Sequence, residues 1–181
     1  VSADVRELLV GFLLWVLLPL WTFAGIADYW LHRQTEIEKT SGAGESRLHV
    51  LQALEVGIPL LAGLFLEINR AVLAIMIVGV IAHTLTALWD TSYTHSRRYI
   101  SPIEQHVHSH LEYIPFVAVA VVIMLHWDAT HGSSWALQLK DPPLPGPTVA
   151  TVLVLVFGVQ GLLLGEETVR VMRAAHALLR R

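Results

Sequence analysis

Residues 101–127 read SPIEQHVHSHLEYIPFVAVAVVIMLHW, and the stretch joins two kinds of sequence in one helix. Ser101, Pro102 and Glu104 are a helix start: a hydroxyl to accept from an orphan N–H, a proline where that N–H is spare, and a capping-box glutamate. The expected helix over 102–112 carries His106, His108, His110 and Glu112, all chemistry and little grease. It then runs into 113–127, nearly all apolar, with Pro115 as a place to bend. A polar, histidine-rich turn feeding an apolar span describes a helix that enters a bilayer carrying ligands at its mouth.

Composition agrees with a lipid setting. The chain has 181 residues, of which 54% are hydrophobic and only 15% charged, and its mean hydropathy is +0.57. A soluble domain carries about 25% charged residues, so the apolar excess faces lipid. A span takes roughly 20 apolar residues in a helix that satisfies its own backbone. Stretches 8–30, 50–68, 71–89, 113–127 and 149–165 are the expected spans, with Asn69 and Arg70 as the tight turn of an antiparallel hairpin. Residues 128–147, rich in Gly, Ser and Pro, read as an outer loop, and 166–181 as an amphipathic surface helix with Val169, Met172 and Leu179 on its apolar side. The expected fold is therefore all-α: a single integral-membrane bundle of about five spans, a four-helix metal-binding core plus one.

Five spans place Arg33, Lys39, Arg47, Arg97, Arg98, Arg170, Arg173, Arg180 and Arg181 on one side, and Arg6, Arg70 and Lys140 on the other. The positive-inside rule makes the richer side cytoplasmic and the N-terminus external, as in a bacterial inner membrane. No basic block suggests nucleic acid, and no pattern sets an oligomeric state. Zero cysteine excludes disulfides, thiolate metal sites and thiol catalysis.

Histidine is the outlier, with ten residues against twelve Lys and Arg together. Helical spacing groups the histidines with acids on the cytoplasmic side. Asp28 and His32 are i,i+4; Glu45 and His49 are i,i+4; His83 and Asp90 are i,i+7. Glu55 and His83 lie roughly 10 Å inside adjacent spans, where an ionisable residue is expensive and marks function with a partner nearby. The expected metal ligands are Asp28, His32, Glu45, His49, Glu55, His83, Asp90, His106, His108, His110 and Glu112. Glu104, as a capping residue, and His95, Arg97 and Arg98, in the loop, are expected one layer out, orienting ligands or holding a lipid headgroup. Glu36, Glu38 and Glu67 read as interfacial charges.

Imidazole and carboxylate without sulfur suit Fe, Mn or Zn, and the number of candidates exceeds one tetrahedral zinc. Helix bundles build two-metal sites from inward Glu and His on four helices. The carboxylate–His and His–His pairs, above all Glu104-Gln-His106-Val-His108-Ser-His110-Leu-Glu112, resemble the histidine boxes of integral-membrane non-haem diiron enzymes, the fatty acid desaturase and hydroxylase superfamily. This chain has one HxxxH, His106 to His110, and no adjacent His pair; Asp28-x3-His32 and Glu45-x3-His49 stand in carboxylate–His form. The resemblance implies two irons at the cytosolic interface, O2 as oxidant, a lipid or other hydrophobic substrate from the bilayer and an external electron donor. Two further readings stay open: a membrane zinc hydrolase, and a non-catalytic metal- or haem-carrying subunit.

Overall fold

A computed structural model describes residues 1–132 and 134–180. Ser133 of the outer loop and Arg181 of the C-terminal segment lie outside the described residues. Among the described residues five helices are long and apolar enough to cross a membrane: α1 (Ala3–Gln34), α2 (Gly42–Phe65), α3 (Arg70–His95), α4 (Pro102–Leu125) and α5 (Gly146–Leu179). Each contains most of an expected span and extends beyond it. The extensions follow from the caps. Ser101 Oγ accepts from the Glu104 N–H at 3.1 Å, and Asn69 Oδ1 accepts from Ala71 and Val72 N–H at 2.9 and 3.2 Å. The capped helix of 102–112 thus continues unbroken through Pro115 into the span.

The tail is not a separate surface helix. It prolongs α5, which runs 34 residues without a break, because nothing after Gly165 is a helix breaker. The expected apolar side of Val169, Met172 and Leu179 faces outward, and Glu167 and Val171 are buried on the opposite side. Leu163, Glu167 and Val171, four apart, form the inward stripe.

Two helices carry wide π turns, over Leu13–Leu17 in α1 and Val154–Gln160 in α5. In α1 the cause is local, since Pro19 has no N–H to return to the turn before it, and Leu18 N–H instead reaches Leu13 O.

The helices close a ring in the order α1, α4, α3, α2, α5 and back to α1. Every neighbouring pair is antiparallel except α5 with α1, as an odd ring of alternating helices requires. Close approach needs small residues. A Cβ at Gly79 of α3 would lie 2.8 Å from the Glu55 carbonyl of α2, and one at Gly25 of α1 would lie 2.3 Å from the Gln160 amide of α5. Gln160 Nε2 uses that proximity to donate to Thr22 O at 2.9 Å.

At one end of the ring Ala62, Val72, Leu73 and Met76 pack with Val119 and Val122, and Leu64, Val152 and Val156 pack with Leu14, Leu18 and Trp21. The loop there is tied on by backbone bonds, Glu67 N–H to Gln138 O at 2.9 Å and Lys140 N–H to Phe65 O at 2.8 Å. The outward faces present Leu8, Trp15, Phe23, Val78, Leu85 and Leu162, as lipid contact demands. The last turns of α1 and α3, the first turns of α2 and α4 and the later turns of α5 meet at the other end, and there the ionisable residues converge.

Candidate metal centre

Five helices each send a carboxylate to this end: Asp28 from α1, Glu45 from α2, Asp90 from α3, Glu104 from α4 and Glu167 from α5. Glu45 and Glu104 are 1% and 0% exposed, His32 is 1% exposed, and Asp90 and Glu167 are buried. The i,i+4 pairs expected from the sequence meet, at 3.6 Å for Asp28 Oδ2 to His32 Nε2 and 4.0 Å for Glu45 Oε1 to His49 Nε2.

Glu167 organises the histidines. One oxygen faces His32 Nδ1 at 2.9 Å and the other faces His49 Nδ1 at 2.7 Å. An ionised carboxylate only accepts, so both Nδ1 atoms are the donors. The two rings stack face to face, 4.7 Å apart and within 2° of parallel. Their Nε2 atoms point away from Glu167 and neither has a hydrogen-bond partner, although both are fully enclosed. Around His32 Nε2 stand Asp28, Glu104 and Glu45 at 3.6, 3.7 and 3.8 Å. His49 Nε2 faces Asp90 Oδ2 at 3.3 Å. His108 Nε2 closes the group, 3.6 Å from Asp28 Oδ1 and 3.9 Å from Asp90 Oδ2.

These separations have a chemical meaning. Two ligand atoms each about 2.0–2.2 Å from one ion stand about 3–4 Å from each other. Among the described residues, three overlapping groups bring their ligand atoms to within 4.8 Å of one another: His32 with His49 and His108, His32 with Glu45 and Glu104, and Glu45 with His49 and Asp90. The buried His, Glu and Asp groups could hold a metal ion.

Among the described residues Arg98 is the arginine built in among the carboxylates of this cluster. Its side chain is 4% exposed and forks between Glu45, at 2.7 Å, and Glu104, at 2.5 Å, with second bonds to each at 3.3 and 3.0 Å. Burial works against the guanidinium charge, but Glu104 and Glu45 outweigh it and hold its pKa above that of free arginine. Ser41 Oγ donates to Glu45 as well. With the carboxylates ionised and the histidines neutral, as metal ligation requires, five carboxylates against one guanidinium would carry four negative charges, the charge of two divalent ions.

The remaining expected residues sit elsewhere. Glu55 accepts from Thr86 Oγ1 at 2.8 Å, and His83 Nε2 faces Leu111 O at 3.3 Å. Glu55 and His83 thus take separate partners, and Glu55 Oε2 and His83 Nδ1 are enclosed without one. His83 still lines the same cavity as Asp28, His49, His108 and Glu167. His106 and His110 stand on the far side of α4, stacked edge to face on each other, with His106 exposed. A period of 3.6 puts Glu104 and His108 inward and leaves that pair out. Glu112, one turn beyond His108, is half-buried and acts on His83 electrostatically. Arg97 stacks on Tyr93 at 3.5 Å, and His95 is exposed. Glu38 pairs with Arg170 and Glu36 with Lys39.

Glu104 and Arg98, expected one layer out, lie at the centre. The sequence does not single out Glu167, because it lies in a segment whose arginines suit a surface helix. The signal was its place four residues from both Leu163 and Val171. Compared with models of known protein families, with curated proteins and with solved structures, the chain matches none.

Proposed function

We propose that this chain is a membrane-bound dinuclear metalloprotein, with iron as the metal, that uses O2 to oxidise a lipid or other hydrophobic substrate. The observation that carries the reading is the stacked pair of imidazoles on Glu167. Glu167 holds both Nδ1 atoms and the rings stack 4.7 Å apart, so both Nε2 atoms face the same carboxylate-lined space, where His32 and His49 can ligate one ion with His108 or take adjacent ions with their own carboxylates. A histidine whose other nitrogen donates to a carboxylate is the usual form of a metal-ligating histidine, fixed in tautomer and raised in basicity. Glu167 does this for two at once. The four uncompensated charges support two ions, and a ligand set of nitrogen and oxygen suits iron or manganese.

Bound iron would supply the electron transfer to O2 that no side chain here can perform, with electrons arriving from a separate donor. The protein's own contributions are steric and electrostatic. Glu167 orients His32 and His49; Arg98 holds Glu45 and Glu104 apart by bidentate bonds; Asp90, with Gln52 Nε2 donating to it at 3.3 Å, faces His49. The substrate's place is the cavity of ≈ 340 Å³ beside them, lined by His83, His108 and apolar side chains. By the positive-inside rule this end faces the cytoplasm.

Elemental analysis of the full chain purified in mild detergent, with an optical spectrum of the same sample, tests the reading. Two irons or manganese per chain without a Soret band is the expected result. One zinc per chain transfers the site to hydrolysis, a Soret band transfers it to haem, and no metal after growth with added iron overturns it.

A further inference from the structure

The seam between α2 and α5 is pinned at two levels and loose between them. At the polar end His49 Nδ1 meets Glu167 at 2.7 Å and Ser46 Oγ meets Thr168 Oγ1 at 3.5 Å. Two turns deeper, a Cβ at Gly57 would be in ordinary contact with the Phe157 ring, at 3.7 Å. In the interval, roughly 10 Å of helix, the facing residues are Val50, Ala53 and Leu54 on α2 and Gly161 and Leu164 on α5. Ala53, Leu54, Phe157 and Gly161 are exposed on the outside of the bundle, yet all four also line the cavity that reaches His49, His83, His108 and Glu167. A Cβ at Gly161 would meet nothing within 4 Å. The other seam of α5 differs: Gly25 and Gln160 close it by direct contact.

The interior continues beyond that cavity. Trp21, Val56 and Val156 also line a second chamber of ≈ 310 Å³ toward the opposite end, walled by residues such as Leu14, Leu60, Met76 and Ala118. From Gly161 to Thr148 at its far end is roughly 20 Å along α5. The interval in the seam lies within both expected spans, so hydrocarbon is what surrounds it.

We infer that the gap between Ala53 and Leu54 of α2 and Phe157 and Gly161 of α5 is a lateral window through which the acyl chain of a bilayer lipid enters the bundle. The chain passes the histidine cluster and ends in the apolar chamber beyond Trp21. The occupant is an acyl chain because the four rim residues Ala53, Leu54, Phe157 and Gly161 are apolar, the surroundings are lipid, and the chamber beyond Trp21 is lined almost wholly by apolar side chains. This inference rests on the proposed oxidase reading for its purpose, but its test is separate.

The test uses the full chain reconstituted in phosphatidylcholine bilayers containing a diazirine in the acyl chain, irradiated and mapped by peptide mass spectrometry, with metal content measured on the same samples. Adducts at Trp21, Val56 or Val156 are expected in the parent protein and are lost in Gly161→Phe and Ala53→Phe, which fill the window from opposite sides. Adducts at Leu85, on the outer face of α3, stay at the parent level and report an intact fold. Interior adducts that persist in both variants, or that are absent from the parent, overturn the window. Metal with no interior adducts removes the window and leaves the oxidase reading; interior adducts that the variants abolish, in a protein that holds no metal, do the reverse.

Discussion

The two ends of the bundle are closed by opposite means. At the loop end, the backbone of 136–141 is stitched to 65–69 and the side chains beneath are apolar, so polar groups find partners within the chain. Asn69 caps α3 and also donates to Ala136 O at 2.8 Å. At the other end the same five helices gather five carboxylates with three histidines and one arginine, with Glu45, Asp90, Glu104, Glu167 and His32 buried, and His32 Nε2, His49 Nε2 and Asp28 Oδ1 remain without hydrogen-bond partners. One end is finished by the polypeptide; the other is arranged for something the polypeptide does not provide. An uncompensated buried charge is costly, and its concentration at one end is the strongest sign that this end was shaped by function rather than by stability.

That contrast can be broken most severely at Glu167. Glu167→Ala is expected to abolish metal binding altogether, since both imidazoles lose their orientation. Each stranded Nδ1–H adds about 1–3 kcal/mol of instability. Elemental analysis and thermal unfolding in detergent read both effects, and retention of metal by this variant would remove Glu167 from its organising role.

Arg98→Ala comes next. It leaves Glu45 and Glu104 buried without their cation, at about 3–5 kcal/mol in metal-free protein. Added metal is expected to recover part of that loss, because ions then supply the missing positive charge. Unfolding with and without metal decides it, and an equal loss in both would make Arg98 a structural counter-ion only.

The smallest effect belongs to the loop end. Burial, together with Arg6 and Lys140 nearby, holds His126 below its ordinary pKa of 6.5, against an opposing pull from Glu67. The unfolded chain therefore takes up the proton first, and stability falls as pH drops below 6.5 until the folded pKa is passed. His126→Gln should flatten that part of the pH dependence of the thermal midpoint while leaving metal content unchanged.

Much of this arrangement was legible in the sequence, and the limits have physical causes. Spans are written in long apolar runs, and i,i+4 pairs such as Asp28 with His32 are written in helical period. Rotation of each helix about its axis is not. His106, His108 and His110 are equivalent in composition, and only packing against α1 and α3 selects His108 for the interior and turns its neighbours out. Arg98 was read by its loop and its sign, which fit a headgroup, whereas folding delivers it to the acids at residues 45 and 104. Glu167 was masked by a run of arginines that made its whole segment look solvated.

The π turns of α1 and α5 carry a constraint of another kind. Each stores one residue more than a regular helix would use over the same length, and both precede residues of the cluster, Asp28 and His32 in α1 and Glu167 in α5. At 3.6 residues per turn, a residue counts for about 100° of rotation. Losing one residue from 13–17 or from 154–160 would turn the helix beyond it and swing Asp28 and His32, or Glu167, away from the axis of the ring. Length is therefore a constraint of its own in these two stretches: outward positions such as Trp15, Val16 and Val154 can exchange one apolar residue for another, but no residue can be dropped.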